Sequence, residues 1–248
     1  MRLFNAAIPS LFLGLGDTLN KRELSVISGG AIEPGMKSAA QSYEKLTGQK
    51  INITFNTAPQ IRKLITAGGT FDVVVAPPKL ISEFVEADKV ETGGLRIGQV
   101  GSGVAVRPGA PVPKITAADD IRKTVLEAES IVFNYASTGI YFENLLKKMG
   151  VWEQVEPKTT RYATGAEVMK HALQGNGREV AFGPITEILL ETENGLVFVG
   201  PLPPDVQNYT SYIAVPMKAS TRQEEARALV EFLGGPEGKP LFVAAGIE

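Results

Sequence analysis

Two hydrophobic periods take turns along this chain. Leu24-Ser25-Val26-Ile27-Ser28 alternates as a strand does, and Gly29-Gly30-Ala31-Ile32 then leads into a helix through Met36, Ala39, Ala40, Tyr43 and Leu46, which Gly48 ends. Ile51-Asn52-Ile53-Thr54-Phe55 is a second strand, after which Pro59 opens a helix containing Ile61, Leu64 and Ile65. Phe71-Asp72-Val73-Val74-Val75-Ala76 reads as a strand buried on both faces, followed by Pro77-Pro78 and a helix carrying Leu80, Ile81 and Phe84. A glycine-punctuated extended stretch (98–107) and a proline-stiffened loop (108–113) interrupt the series. It resumes with a helix over 117–128, the strand Ile131-Val132-Phe133, a helix through Tyr141, Leu145, Leu146 and Met149 closed by Gly150, and the strand Thr159-Thr160-Arg161-Tyr162. A helix with Val168, Met169, Ala172 and Leu173 inside, the strand Glu179-Val180-Ala181-Phe182 and a helix started by Pro184 complete that set. Residues 196–204 end it, 208–216 form a further strand, a long helix follows with Ala226, Ala228, Leu229, Phe232 and Leu233 inside, and 238–246 is a short closing helix.

Strands alternating with helices predict an α/β fold of mostly parallel sheets with flanking helices. The glycine crossing at Gly101-Ser102-Gly103 splits it into two lobes, the first of 23–101 plus 213–248 and the second of 102–212, with hinges near 101–103 and 209–212. Composition narrows the chemistry. The 248 residues carry 25 basic and 27 acidic side chains, a net charge of −2 that offers no global field for nucleic acid. With no cysteine and one histidine, disulfides, thiolate or multi-histidine metal sites and a Ser-His triad are excluded or hard to assemble. His171 reads as a surface helix residue. No phosphate-loop, nucleophile-elbow or zinc-helix motif occurs, because Gly14-Leu15-Gly16 lacks its third glycine and Gly238-Lys239 runs into Pro240. No metal and no cofactor is expected.

The period changes from strand to helix across Ala136-Ser137-Thr138-Gly139. Ser137 or Thr138 is placed to cap the helix, and Gly139 to let a ligand approach the backbone. Free N–H groups and the positive end of the dipole make such a helix start an anion site. At the other end of the chain, Arg2 precedes an apolar run to Leu15 that Asn5 and Pro9 interrupt and that is too short for a permanent membrane helix. Residues 1–22 are therefore read as a signal peptide or leader, with the mature chain in the periplasm and not inserted in a membrane; a cytoplasmic location is the alternative.

Several junctions, in this order, resemble the periplasmic molybdate-binding proteins and related solute-binding proteins of ABC transporters. They are Val26-Ile27-Ser28-Gly29-Gly30-Ala31, Phe71 to Ala76, Ala136-Ser137-Thr138-Gly139-Ile140-Tyr141, Val180-Ala181-Phe182-Gly183-Pro184-Ile185-Thr186-Glu187, and the tail from Ser211-Tyr212-Ile213-Ala214-Val215 through Phe232-Leu233. The resemblance implies two lobes of a type II periplasmic-binding-protein fold, a hinged cleft holding a small anion, a permease partner and a monomer. It departs from the molybdate pattern at three places. Ala31 stands where the family places one serine hydroxyl, Thr57-Ala58 where it places another, and Ser211 where its late tyrosine is expected, with Tyr209 and Tyr212 alongside. Each lost donor costs a buried oxyanion about 1–3 kcal/mol, so the expectation is an anion, whether an oxyanion such as molybdate or tungstate or a small organic acid.

Binding at micromolar Kd needs about −8 kcal/mol and one helix terminus supplies at most ~2, so several junctions must converge on one ligand. The expected set is Gly29, Gly30, Ala31, Thr57, Ala58, Ser137, Thr138, Gly139, Tyr141, Gly183, Pro184, Tyr209, Ser211 and Tyr212, with Arg62 and Arg161 as candidate charge partners and no catalytic residue. A binding protein that delivers its ligand to an ABC transporter fits best. An intracellular sensor or scavenger of the same fold, and an enzyme built on it, are the alternatives.

Overall fold

The computed structural model describes residues 23–248; the expected leader, 1–22, lies outside the described residues. In chain order the elements are β1 (Leu24–Gly29), α1 (Glu33–Thr47), β2 (Ile51–Asn56), α2 (Ala58–Thr66), β3 (Val73–Ala76), α3 (Pro78–Glu86) and β4 (Leu95–Val106). Then come α4 (Ala118–Glu127), β5 (Ser130–Asn134), α5 (Ser137–Lys148), α6 (Trp152–Val155), β6 (Thr159–Tyr162), α7 (Gly165–Gln174), β7 (Glu179–Pro184) and α8 (Ile185–Leu190). The chain closes with β8 (Val197–Pro201), β9 (Tyr209–Pro216), α9 (Gln223–Gly234) and α10 (Lys239–Ala244).

One curled sheet runs through both lobes in the order β2-β1-β3-β9-β4-β7-β5-β6, with β8 beside β4. The outer pairs, β1 with β2 and β3 and β5 with β6 and β7, are parallel. Around the crossing the pairs are antiparallel, because β4 and β9 carry the chain out of one lobe and back. Strand β4 does both jobs: its first half pairs with β9 in lobe 1 and its second half with β7 and β8 in lobe 2.

The apolar runs read as doubly buried strands are divided by the pleat. In β3, Val73 and Val75 join Met36, Ala39, Leu229 and Phe242 under α1, α9 and α10, whereas Val74 and Ala76 join Ile61, Ile65, Leu80 and Phe84 under α2 and α3. Lobe 2 repeats the scheme. Phe133, Val180 and Phe182 pack with Ile121, Phe142 and Leu146 on one face, and Val132 and Ala181 with Val168, Met169 and Ile188 on the other. Phe142 stacks on Phe182 at 3.6 Å between centroids. Leu46, expected inside, is 64% exposed at the last turn of α1, where Gly48 adopts φ +69° and turns the chain away. His171 is half-buried on α7, and its Nδ1 lies 2.9 Å from the Tyr162 hydroxyl.

Candidate functional site

Between the lobes lies a cavity of about 30 Å³, room for about two water molecules. Lobe 1 contributes Gly29, Gly30 and Ala31 after β1, Asn56, Thr57 and Ala58 at the start of α2, Pro77, and Tyr212 from β9. Lobe 2 contributes Asn134, Ala136, Ser137 and Thr138 at the start of α5, with Pro184 and Glu187 at the start of α8.

Helix α5 begins where the sequence places it but is capped differently. Ala136 holds the N-cap position, and the Asn134 side-chain oxygen accepts from the N–H groups of Ala136 (3.0 Å) and Gly139 (3.2 Å). The N–H groups of Ser137 and Thr138, in the first turn, have no intrahelical acceptor. On the facing side, Gln60 Oε1 accepts from the N–H and the hydroxyl of Thr57 (3.2 Å each), and Pro59 has no N–H to offer, so Ala58 presents the corresponding free donor. A 3-10 turn over Gly30–Ile32 adds the third junction. Gly29 is glycine for want of space: a Cβ there would stand 2.5 Å from the Tyr212 ring.

Seven expected residues lie outside this lining. At Gly139 a Cβ would meet the Asn134 carbonyl oxygen at 1.8 Å, so the glycine allows α5 to start this close to the end of β5. Tyr141 donates to the Val206 carbonyl (2.9 Å) and packs on the lobe 2 core, and Gly183 is backed by Met169. Tyr209 is 49% exposed beside Gly101, and Ser211 is passed over in favour of Tyr212, the tyrosine the cleft uses. Arg62 forms an exposed fork with Glu83 (2.7 and 3.0 Å). Arg161 is paired with Glu143, stacks 4.3 Å from the Tyr135 ring centre and donates to the Asn134 carbonyl (3.2 Å), so it supports the residue that caps α5. Asn56, Pro77, Asn134, Ala136 and Glu187 line the cavity without having been expected.

Two features lie where the lobes meet. The buried Thr186 hydroxyl on α8 donates across the cleft to the Ala31 carbonyl, tying lobe 2 to lobe 1. Beside it, Glu187 turns its carboxyl inward; Oε2 is shut off from water and has no hydrogen-bond partner. Burial, followed by the charge of Glu33, raises this carboxyl to about 7. Burial and then Glu187 in turn push the Tyr212 phenol above its ordinary value. None of the lining residues is Lys, Arg or His. Among the described residues no acidic, histidine or cysteine group could hold a metal ion, and no helix is long and apolar enough to cross a membrane.

Comparison with known proteins agrees with this architecture. The description of bacterial extracellular solute-binding proteins matches residues 24–248. An aconitate isomerase from a Pseudomonas species is 26% identical, covering 91% of this chain and 87% of its own. The molybdate-binding protein ModA of Escherichia coli K12 is 22% identical over 99% of this chain and 96% of its own. The periplasmic molybdate-binding protein of Azotobacter vinelandii superposes with a TM-score of 0.76 at 15% identity, over 91% of this chain and 99% of that one.

Proposed function

We propose, for a chain that belongs to the family of bacterial extracellular solute-binding proteins, that the cavity between its lobes captures a small anion and that the loaded protein delivers it to the permease of an ABC transporter. One observation carries the anion: helix starts from both lobes, at Ala58 and at Ser137-Thr138, converge with the turn at Gly30-Ala31 on a single cavity. Neutral backbone donors do the holding. The ligand is an oxyanion or a small carboxylate, and the protein works as an exported monomer that opens at 101–103 and 209–212. Opening at these places lets the ligand in and out, and closing brings the helix starts of both lobes onto it. A thermal-shift panel of molybdate, tungstate, sulfate, phosphate and small carboxylates tests the reading. At least one anion should raise Tm at sub-millimolar concentration, and a flat response to all of them refutes it.

Glu187 favours a second reading. A carboxyl raised to about 7 takes up and returns a proton near neutrality, as a general acid–base must, and the aconitate isomerase relative carries a name that implies a proton shift. In this reading the cleft binds an unsaturated tricarboxylate, and Glu187 removes a proton from one carbon and restores it two carbons along. Proton NMR of cis-aconitate incubated with the protein decides the matter: no trans isomer above the buffer control retires the reading.

A further inference from the structure

Resting on the reading of the cleft as an anion site, we propose that Glu187 is itself a ligand-contacting residue, present as the neutral acid and donating a hydrogen bond, so that each anion is bound together with one proton.

Three features of the geometry point this way. The carboxyl occupies space that two glycines, one from each lobe, leave open. A Cβ at Gly165 would come 1.6 Å from Glu187 Oε2, and one at Gly30 would come 3.2 Å from Oε1. The side chain also lines the cavity, with Oε1 beside Gly30 of the lining, while Oε2 is set against Gly165 with no protein partner, a costly state for a carboxylate and a milder one for a neutral carboxyl. Finally, no Lys, Arg or His in the lining offsets a second negative charge. An ionised Glu187 would repel the anion that the helix starts attract; a protonated one joins them as a donor.

The surroundings favour the proton. Glu33, at the start of α1, bears on Glu187 with like charge, and Tyr212 of β9 is held neutral. On α7, Gly165 lies against the carboxyl and has no side chain, and the Glu167 carboxylate is turned back onto Thr164. Asn134, Ser137 and Thr57, across the cavity, are neutral. In the empty protein the carboxyl titrates at about 7, so the cleft stands ready to take up a proton near neutral pH.

Calorimetric titration with molybdate, sulfate and propane-1,2,3-tricarboxylate, at about pH 6.5 and about pH 8.5, tests the proposal. Each is run in two buffers of different ionisation enthalpy. If the bound state always carries the proton, affinity falls about 25-fold between those pH values, and close to one proton is taken up per anion at the higher one. Glu187→Gln keeps an N–H donor and should bind with affinity nearly independent of pH. Binding of a probe by the wild-type protein with no proton uptake, at equal strength at both pH values, overturns the proton linkage and leaves the anion site standing. Failure of every probe to bind at either pH overturns the anion site and this proposal with it. The wild-type measurement stands alone should the variant fail to fold.

Discussion

Removing the charge of Glu187 should stabilise the empty protein, and by an amount that depends on pH. In the folded chain the carboxyl titrates at about 7, raised by burial and then by Glu33, against 4.5 when exposed. The folded state therefore holds a proton that the unfolded state has released. Stability is complete below about 4.5, declines as pH rises from there to about 7, and is level above. The difference of about 2.5 pH units corresponds to about 3 kcal/mol at 1.36 kcal/mol per unit. Glu187→Gln does not titrate. Whatever constant offset its amide introduces, the variant's advantage over wild type should grow by about 2.5 kcal/mol between about pH 5 and about pH 8. Urea midpoints without ligand at the two pH values measure this directly, and an equal gap at both would show that the carboxylate is solvated or paired in the folded state.

Three other substitutions probe the scaffold. Gly139→Ala forces a Cβ against the Asn134 carbonyl and should lower stability by about 1–3 kcal/mol or more in chemical denaturation; an unchanged midpoint contradicts the packing role. Thr186→Val removes the bond from α8 to the Ala31 carbonyl, worth about 1 kcal/mol, and should weaken ligand affinity about fivefold while scattering shows a more open mean shape; identical affinity and dimensions count against the latch. Asp72 accepts from the Ser25 N–H (2.7 Å), the Ser25 hydroxyl (2.9 Å) and the Ser220 hydroxyl (2.6 Å). Burial would raise its carboxyl, but these bonds and Arg222 bring it below the ordinary 3.8, so its contribution is present above that value and lost as pH falls through the lower folded one. Asp72→Asn should cost about 1–3 kcal/mol at neutral pH, with the gap closing below about pH 4; a gap independent of pH refutes the charge assignment.

The strands and helices were legible because their signals are local. Val73 to Ala76 is apolar at every position, and only a sheet covered on both faces needs that; Gly48 and Gly150 mark helix ends through their positive φ. The converging junctions were legible for the same reason, since glycine, proline and hydroxyl residues cluster at helix starts. Glu187 was not. An acid in the first turn of a helix is the ordinary partner of the dipole, and nothing in Pro184-Ile185-Thr186-Glu187 tells that the opposite lobe closes over it. Asn134 escaped because its side chain reaches five residues ahead, to Gly139, across a bend that exists only once β5 has met α5. Of the neighbours Ser211 and Tyr212, both candidates from the sequence, only Tyr212 lines the cavity, because successive strand residues point to opposite faces. Arg161, a candidate charge partner in the sequence, is paired with Glu143, 18 residues earlier in the chain, a contact that no local pattern announces.

The two lobes differ in how far apart along the chain their partners lie. The strands of lobe 2 come from one run of chain, the second half of β4 through β8, whereas lobe 1 needs Val75 beside Ala214 and Gly98 beside Tyr212 before its sheet is whole. During synthesis the inserted lobe has every strand it needs while the host lobe still lacks β9, the strand that joins β3 to β4. Folding should thus run inward to outward, with the insert settling early from short loops and the host closing late around a long one. The cleft, which draws on both, forms last: a chain halted before β9 carries the lobe 2 wall complete but lacks Tyr212 and a finished lobe 1 sheet to set against it.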